Sequence, residues 1–440
     1  MKKHTQSPYK SSEISYKPSG IKWLGEIPQS WEIKPLQAIF NQRNEQNNNL
    51  EFQTILSLVK DVGVIPYEEK GNVGNKAKDD LQGYKIARVN DLVLNKMNAV
   101  IGSLGVSKYD GLVSPIYLVL YIENPNYLIA YYSYLFQTKS IQKFLRKFAY
   151  GIMEIRESID YLEFKKMFLP TPPLQEQKEI AEFLDSKCEK IQNYIDKKQK
   201  LITLLQEKKQ ALINEAVTKG LNPNIEFKNS GIDYLGLIPH HWEVVKVKYI
   251  ATTNIGLVYD PSEIATNENV GYPVLRANNI QNGKIDYKDV IYVAKKIDDK
   301  QLAISGDLLM CVRNGSENLL GKTAKIENNN FSFGAFTAII RSDLNNYLYW
   351  IFQTEMLKKS ISSFIVSIGI GQISQDDIKN FKIPLPPLHE QKEIAAFLDS
   401  KVAQINSVIE KTKKQIELVK EYKNTLINEA VCGRINLERK

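Results

Sequence analysis

The sequence has few of the residues that build redox or metal centres. Three cysteines and four histidines occur in 440 residues, and no two cysteines have the C-x-x-C spacing. Disulfide frameworks and zinc sites need clustered cysteine or histidine, so we expect neither of them, and no metal site at all. The low cysteine content fits a reducing compartment such as the cytoplasm.

Long apolar runs are also missing. No uninterrupted apolar stretch approaches the roughly 20 residues of a membrane span, and the opening MKKHTQSPYK has no apolar core of a secretory signal. We therefore expect a soluble cytoplasmic protein without a membrane partner. The net charge of +8 is a moderate basic bias, which is compatible with nucleic acid but does not establish it.

No set of residues indicates a catalytic site. GSENLLGKT, from Gly315, has five residues between its glycines where a phosphate-binding loop has four, and the matching stretch at Gly105 lacks the Gly-Lys-Ser/Thr order. NPNY at Asn124 differs from the NPPY box of amino-methyltransferases in its third residue, and no glycine-rich cofactor loop precedes it. We predict that the chain is not an enzyme and binds no cofactor itself.

The sequence does contain a duplication, which is the feature that decides its organisation. Pro172–Val217 and Pro386–Val431 are identical at 28 of 46 positions, and both begin with nearly the same PPLxEQKEIA. SGIKWLGEIPQSWEI at Ser19 likewise returns as SGIDYLGLIPHHWEV at Ser230. The chain is therefore predicted to be two copies of one plan.

Weaker pairs lie between these blocks, and they divide the chain further. DLVLNKMN at Asp91 faces DLLMCVRN at Asp307, and YYSYLFQT at Tyr131 faces YLYWIFQT at Tyr347. The predicted segments are a flexible N-terminal segment 1–18, a first variable domain 19–170, a central helix 171–220, a second variable domain 221–384, a distal helix 385–434 and a tail 435–440.

Both duplicated blocks have the periodicity of long helices. Apolar residues recur in alternating steps of three and four, which is the coiled-coil pattern, and charged residues fill the remaining positions. Prolines precede each block, and Gly220 and Gly433 follow its end. The predicted rows are Leu184, Ile191, Leu205 and Leu212 with Cys188, Ile195, Ile202 and Ala216, and Leu398, Ile405, Val419 and Leu426 with Val402, Ile409, Ile416 and Ala430.

We predict that the two helices pair antiparallel. That pairing would place the variable domains at opposite ends of a spacer of about 65–70 Å, related by a pseudo-twofold axis. Parallel pairing, which would crowd the two domains together, is the less favoured alternative. The variable domains mix short strand-like runs with later helices, so the predicted class is α/β (mixed α+β), with two globular domains joined by two long antiparallel coiled-coil helices.

The aromatic segments NYLIAYYSYLFQ and NYLYWIFQT have helical spacing and recur in both copies, so we interpret them as core rather than as base-stacking platforms. The candidates for reading DNA are instead residues that differ between the copies and carry hydrogen-bonding groups suited to base edges. In the first domain they are Arg43, Lys60, Asn75, Lys76, Lys78, Lys96 and Asn98. In the second domain they are Arg276, Asn278, Asn279, Gln281, Arg313, Asn314 and Lys322.

The paired PPLQEQKEIAEFLDSK and PPLHEQKEIAAFLDSK, the paired SGIxxLGxIPxxW, and YPVLRANNI with NGKI together resemble the specificity subunits of type I restriction–modification systems. GIGQISQDDIKNFKIPLPPL is similar to the same family. The first copy departs from this pattern, because GIMEIRESIDYLEF replaces the Gly-Gln-rich entry to its helix.

The resemblance implies a non-catalytic subunit that binds double-stranded DNA. Each variable domain would be a target-recognition domain for one half of a bipartite, asymmetric site. The helices would set the spacing and dock two methyltransferase subunits, through which translocating nuclease subunits would join. S-adenosylmethionine, ATP and Mg²⁺ would then be bound by those partners.

Six residues are predicted to form the interface with the methyltransferase, because they recur at both helix starts although they lie off the heptad rows. They are Gln177, Lys178, Phe183, Gln391, Lys392 and Phe397. Packing at the helix start is the alternative explanation of their recurrence. Two other functions stay open: the recognition subunit of a related modification-only or phage-exclusion system, and a coiled-coil scaffold that does not bind DNA.

Overall fold

The computed structural model describes residues 15–60, 62–71, 80–150, 158–266, 269–314, 319–361 and 371–435. The chain forms two compact units, which we call unit 1 (Met1–Lys198 with Lys414–Lys440) and unit 2 (Gln199–Lys413). Each unit therefore holds one variable domain, the first part of the helix that follows it and the last part of the other helix. This division differs from the predicted linear segments, because both long helices belong partly to each unit.

The central sheet of unit 1 is antiparallel, with the strand order β4-β11-β8-β9. The strands of unit 1 are β1 (Tyr16–Pro18), β2 (Glu26–Pro28), β3 (Glu32–Pro35), β4 (Asn41–Gln42), β5 (Leu56–Val59), β6 (Gly63–Pro66), β7 (Lys85–Ala87), β8 (Leu92–Asn95), β9 (Leu104–Val106), β10 (Gly111–Val113), β11 (Tyr117–Tyr121), β12 (Ala149–Tyr150), β13 (Ser158–Ile159) and β14 (Phe168–Thr171). The helices that begin in it are α1 (Leu36–Ile39), α2 (Ile129–Gln137), α3 (Lys139–Leu145), α4 (Tyr161–Phe164) and α5 (Leu174–Lys219).

Unit 2 repeats this plan and enlarges it. The strands of unit 2 are β15 (Phe227–Asn229), β16 (Leu237–Pro239), β17 (Glu243–Lys246), β18 (Thr252–Ile255), β19 (Ile264–Ala265), β20 (Tyr272–Leu275), β21 (Ile280–Gln281), β22 (Lys284–Ile285), β23 (Ile291–Val293), β24 (Leu308–Cys311), β25 (Arg313–Asn314), β26 (Thr323–Lys325), β27 (Ser332–Phe333), β28 (Thr337–Arg341), β29 (Gly371–Gln372) and β30 (Lys382–Leu385). Its helices are α6 (Asn345–Phe352), α7 (Met356–Ile361), α8 (Gln375–Asn380) and α9 (Leu388–Val431).

The larger sheet of unit 2 has the order β18-β28-β24-β26-β22-β21. Its first four strands correspond to β4, β11, β8 and β9. The strand register therefore shows which residues of the two units are equivalent. The hairpin β21–β22 extends the sheet through Asn282 and Gly283, whose φ angles are 52° and 78°. Positive φ at both turn residues is the two-residue hairpin geometry that Asn-Gly favours, as the sequence indicated.

The long helices begin and end at the positions that the prolines and glycines of the sequence predicted. α5 and α9 contain 46 and 44 residues, and each starts just after its Pro-Pro pair. Gly220 and Gly433, with φ of 77° and 70°, follow the helix ends in the left-handed conformation that glycine adopts most easily. Every residue of the predicted heptad rows is buried or half-buried.

Within each unit the two helices run antiparallel. In unit 1 the start of α5, with Ile180 and Leu184, shares a core with Leu426 and Ala430 from the end of α9. In unit 2 the start of α9 packs in the same way on the end of α5. The antiparallel prediction is therefore confirmed, and so is the mixed α/β class with a repeated domain.

The aromatic helices α2 and α6 lie in the cores, as predicted. Tyr131 is completely buried, and its hydroxyl donates to the Val431 carbonyl oxygen at 2.8 Å. Tyr347, its counterpart, donates to the carbonyl oxygens of Pro384 at 2.9 Å and Val217 at 3.3 Å. Each of these hydroxyls thus holds the last turn of the long helix that began in the other unit.

The duplicated N-terminal motif anchors the start of each helix. The Trp31 indole N–H donates to Glu176 Oε2 at 2.6 Å, and Trp242 donates to Glu390 Oε2 at 3.0 Å. Both carboxylates lie in the first turn of their helix, where the helix dipole favours negative charge. Within the described ranges, no helix combines the length and apolarity that crossing a membrane requires.

Candidate nucleic-acid interface

A buried aspartate opens the central strand of each unit. Asp91, before β8, accepts from the Arg88 amide at 2.8 Å, and Asp307, before β24, accepts from the Ile304 amide at 2.9 Å. Both carboxylates are almost fully buried, so each needs a cationic partner to offset its desolvation. The two units supply that partner differently.

In unit 1 the partner is Arg43, one of the predicted base-reading residues. Its Nε and Nη2 donate to Asp91 at 2.7 and 3.1 Å, and its guanidinium lies 4.5 Å from the centre of the Tyr121 ring. The hydrogen bond to Asp91 is the main reason why the pKa of Arg43 is raised. Its donors are thus engaged within unit 1, so the structure gives Arg43 a scaffold role that the sequence analysis did not expect.

In unit 2 the partner is Arg341, at the end of β28. It donates to Asp307 through Nε at 2.8 Å and Nη2 at 2.7 Å, and this bonding raises the pKa of Arg341. Arg341 occupies the strand position that Tyr121 occupies in unit 1, because the register pairs Leu92 with Leu120 and Leu308 with Ile340. The two units therefore pair the buried aspartate with an arginine from different places, one just after β4 and the other at the end of β28.

The other candidates of the first domain do not form one cluster. Lys60 and Asn98 are exposed, and Lys96 is half-buried. Asn75, Lys76 and Lys78 lie outside the described residues, as do the first seven residues of the divergent GIMEIRESIDYLEF. Base contact by the exposed residues stays a prediction.

Four of the seven candidates of the second domain do come together. Arg276, Asn278, Arg313 and Asn314 line one cleft of about 650 Å³. The cleft lies between β25, the turn after β20 and two backbone segments, 257–259 and 334–337. Its dimensions and its mixture of donors with apolar walls suit contact with base edges.

Close approach of two backbone segments builds one wall of this cleft. The Leu257 amide donates to the Phe333 carbonyl oxygen at 2.6 Å. Gly256 permits this approach, because a Cβ at that position would overlap the carbonyl oxygens of Phe333 and Gly334. The glycine therefore keeps the two segments together beside Arg276 and Arg313.

The cleft candidates differ in how far their donors are already used. Arg276 Nη2 lies 3.1 Å from Asp289 Oδ2, and the Asn278 amide donates to the same oxygen at 2.7 Å. Among the described residues Arg313 has no such partner, and its guanidinium lies over the Phe336 ring, 5.3 Å from the ring centre. Arg313 therefore keeps its donors available at the surface of the cleft.

The three other second-domain candidates lie outside the cleft. Asn279 is buried, and its amide donates to the carbonyl oxygens of Asp286 and Asp289, so its hydrogen bonds shape the turn after β20. Gln281 is exposed and donates to the Asn278 carbonyl oxygen, and Lys322 is half-buried. Asn279 thus has a structural role in this turn, which its selection as a base reader did not anticipate.

The sequence analysis missed the apolar residues of the cleft. Val258 and Phe336 expose 70% and 56% of their surface, although valine and phenylalanine are usually buried. No pattern in the sequence distinguishes an exposed Phe336 from a core phenylalanine. In the part of the chain that the structure describes, no group of three or more acidic, histidine or cysteine residues could hold a metal ion.

The six predicted interface residues fall into three pairs. Gln177 is completely buried, accepts from the Leu128 amide at 2.8 Å and donates to the carbonyl oxygens of Asn126 and Pro172. Gln391 is also buried, and it donates to the Pro386 carbonyl oxygen at 2.7 Å. Packing at the helix start therefore accounts for the burial of both glutamines, and their place in a partner interface stays a prediction.

The remaining four residues are accessible to different degrees. Lys178 and Lys392 are exposed, and Phe183 and Phe397 are half-buried. Each lysine lies in the early part of its helix, next to the buried glutamine. This arrangement is the same in both units, so the two helix starts present two similar surfaces.

Comparison with known proteins identifies the family. The profile of the type I restriction modification DNA specificity domain matches residues 28–205 and residues 239–418. The chain belongs to this family. The two matches coincide with the two copies of the repeat, and the resemblance stated from the paired motifs is confirmed.

Relatives in this family match most of the chain or about half of it. The putative type I restriction enzyme MjaX specificity subunit of Methanocaldococcus jannaschii is 26% identical over 443 residues, covering 94% of this chain and 96% of the relative. The EcoKI specificity subunit of Escherichia coli is 30% identical over 207 residues, covering 46% and 44%. The chain is therefore similar to named specificity subunits, and it carries two DNA specificity domains.

Solved structures share its fold. A chain from a type I R-M system, studied for its complex assembly and conformational transition, matches with a TM-score of 0.72 and 16% identity over 93% of this chain and 99% of that chain. The HsdS subunit from Thermoanaerobacter tengcongensis matches with a TM-score of 0.53 and 17% identity, covering 93% and 98%. At these identities the likeness concerns the fold.

Proposed function

We propose that each unit reads one half of a bipartite, asymmetric DNA site, and that the chain is the sequence-reading subunit of a type I restriction–modification complex. One observation supports this proposal above all: the two units share a scaffold but differ in their surface residues. The same central strands and buried ion pair recur, whereas the donors at their surface differ. Such a pair suits a target whose two halves are related in position but differ in sequence.

The partners follow from the same proposal. Two methyltransferase subunits would dock on the starts of α5 and α9, where Lys178 and Lys392 are exposed and Phe183 and Phe397 are half-buried. Translocating nuclease subunits would join through them, and the complex would work in the cytoplasm. S-adenosylmethionine, ATP and Mg²⁺ would be bound by these partners.

Exchange of one domain tests whether reading is modular. The stretch from Gln37 to Phe168 would be replaced by the equivalent stretch of a relative, and the chimera would be expressed with its methyltransferase. Methylome sequencing should find one half of the methylated site changed and the other half kept. The matched exchange of residues 248–382 should change the opposite half, and a chimera in which both halves change would contradict the proposal.

Two other functions make different predictions. A scaffold that does not bind DNA would give no salt-dependent shift of a labelled duplex, with or without the methyltransferase. A modification-only or phage-exclusion subunit would bind and direct methylation without recruiting a nuclease. The cleft with Arg313 at its surface favours DNA binding over the scaffold, because a scaffold has no use for an exposed guanidinium that no described carboxylate pairs, beside exposed apolar side chains.

A further inference from the structure

The cleft of unit 2 singles out one side chain. Arg313 is exposed on β25, and its guanidinium lies over the Phe336 ring. Stacking on an aromatic ring holds a guanidinium in one plane and leaves its edge donors free for a bidentate acceptor. Arg313 is therefore oriented before any ligand arrives.

Five other arginines of the described chain are engaged by carboxylates. Arg43 and Arg341 bind the buried aspartates, and Arg276 binds Asp289. Arg88 and Arg434 bind glutamates, at 2.7 and 3.1 Å. Among the residues that the structure describes, no carboxylate lies within ion-pair distance of Arg313, so its donors are available to an external acceptor.

The surroundings of Arg313 distinguish a base from a phosphate. Phe336 and Val258 present exposed apolar surface on the wall of the same cleft. A phosphate is strongly hydrated and gains nothing from apolar neighbours, whereas the edge and methyl group of a base pair fit against them. In the major groove, guanine offers two adjacent acceptors, O6 and N7, which match the guanidinium fork.

We propose that Arg313 is a specificity-determining residue that reads a guanine in the half-site of the second domain, with Phe336 holding its guanidinium in position. This inference rests on the proposed function, and it assigns one base and one residue within it. The equivalent position of unit 1 supports a role in discrimination, because Met97 occupies it after β8 as Arg313 does after β24.

The test uses the complex of the full chain with its methyltransferase. A duplex library with a randomised second half-site is selected for binding, and enriched sequences are compared between wild type, Arg313→Ala and Arg313→Gln. Wild type should enrich guanine at one position. Arg313→Ala should lose that preference by about 5- to 150-fold, the usual worth of one bidentate contact, and Arg313→Gln should shift it toward adenine.

Replacing that guanine with 7-deazaguanine removes the N7 acceptor and keeps every phosphate. Wild type should bind the modified duplex more weakly, and Arg313→Ala should bind modified and unmodified duplexes equally. Lys248→Ala provides the charge control, because Lys248 also lies over an aromatic ring, that of Tyr249 at 5.2 Å, but outside the cleft. Met97→Ala provides the positional control, and it should leave the second half-site unchanged.

The possible failures are distinguishable. If Arg313→Ala and Arg313→Gln weaken binding equally for all sequences, Arg313 contacts a phosphate and the inference is wrong. If both variants keep the guanine preference, another residue reads that base, while the proposed function stands. If wild type enriches no sequence in the randomised half-site, the proposed function itself fails.

Discussion

In unit 1 the residue two places after β8 is Met97, and in unit 2 the corresponding residue after β24 is Arg313. Strand register also relates Ile116, before β11, to Phe336, before β28. Both members of the second pair are exposed, at 50% and 56%, and Met97 is exposed at 45%. The same place on the scaffold thus presents two apolar side chains in unit 1 and an arginine on an aromatic ring in unit 2.

The buried parts of the units show the opposite relation. Asp91 and Asp307 occupy equivalent positions, and each forms an ion pair with an arginine. That arginine comes from the segment after β4 in unit 1 and from β28 in unit 2. The buried ion pair is therefore present in both units, although its arginine occupies a different position in each. At the surface, in contrast, the backbone is kept and the chemistry changes, as expected of two domains that read different sequences on one frame.

The largest expected effect comes from the helix starts, where the two units look most alike. Lys178→Glu should remove the methyltransferase from unit 1, and Lys392→Glu should remove it from unit 2. A like-charge contact in an interface costs several kcal/mol, so each change should weaken docking by roughly 100-fold or more. Native mass spectrometry of the co-purified complex should find one methyltransferase with either variant and none with both.

Lys190→Glu is the matched control, because Lys190 is exposed on α5 beyond the proposed interface. It carries the same change of charge and should leave the complex intact. Two methyltransferase copies on the double variant would move the interface away from the helix starts. If the two single variants lose the methyltransferase to different extents, the two helix starts are not equivalent docking surfaces.

A smaller effect is expected from the buried ion pairs. Arg43→Met and Arg341→Met each leave a buried aspartate without its cation. Breaking a fully buried pair costs about 3–5 kcal/mol, but these arginines are partly exposed, so we expect roughly 2–3 kcal/mol of unfolding free energy.

Amide hydrogen exchange measures this prediction unit by unit. Protection should fall in β8 and β11 for Arg43→Met, and in β24 and β28 for Arg341→Met. Arg88→Met is the control: Arg88 pairs with Glu45 at 2.7 Å, but both side chains are about 40% exposed, and such pairs contribute about 0–1 kcal/mol. An effect of Arg88→Met as large as that of Arg43→Met would mean that burial of the aspartate is not the cause.

The sequence predicted the features that periodicity and repetition record. The heptad rows predicted both long helices, and their duplication in one chain predicted the antiparallel pairing. The recurring aromatic segments predicted that α2 and α6 lie in the core. Recurrence could not separate Gln177 from Lys178, because a buried amide and an exposed ammonium recur equally well. The indole contact of Trp31 with Glu176 was available in principle, since both residues are duplicated.

The candidate site was predictable only in part, for a physical reason. Hydrogen-bonding residues that differ between the copies can be counted in a sequence, and four of them meet in the cleft of unit 2. Whether a guanidinium is free depends on carboxylates distant in sequence, such as Asp91 for Arg43. Whether Phe336 is exposed depends on the packing of the segments around it. Neither property has a local pattern.

The smallest expected effect concerns the two tyrosines that hold the helix ends. Tyr131→Phe removes one hydrogen bond, to Val431, and Tyr347→Phe removes two. A buried neutral hydrogen bond contributes about 0.5–1.5 kcal/mol, and the carbonyl oxygens lose a partner as well. Urea unfolding at pH 8 should therefore find both variants destabilised, with Tyr347→Phe the more affected.

The pH dependence of this difference has a definite sign. Burial is the main cause that raises the pKa of Tyr131 and Tyr347 well above 10, and Glu176 and Glu390 beside them add to it. A group whose folded pKa is raised stabilises the fold fully below its unfolded pKa, and that contribution is lost as pH rises toward the folded pKa. The stability advantage of wild type over each phenylalanine variant should thus shrink above about pH 10, by up to ~1.4 kcal/mol per pH unit. Urea midpoints of wild type and variants at pH 8 and pH 10.5 measure this, and a gap that widens with pH would show that the hydroxyls ionise more readily in the folded protein than in the unfolded one.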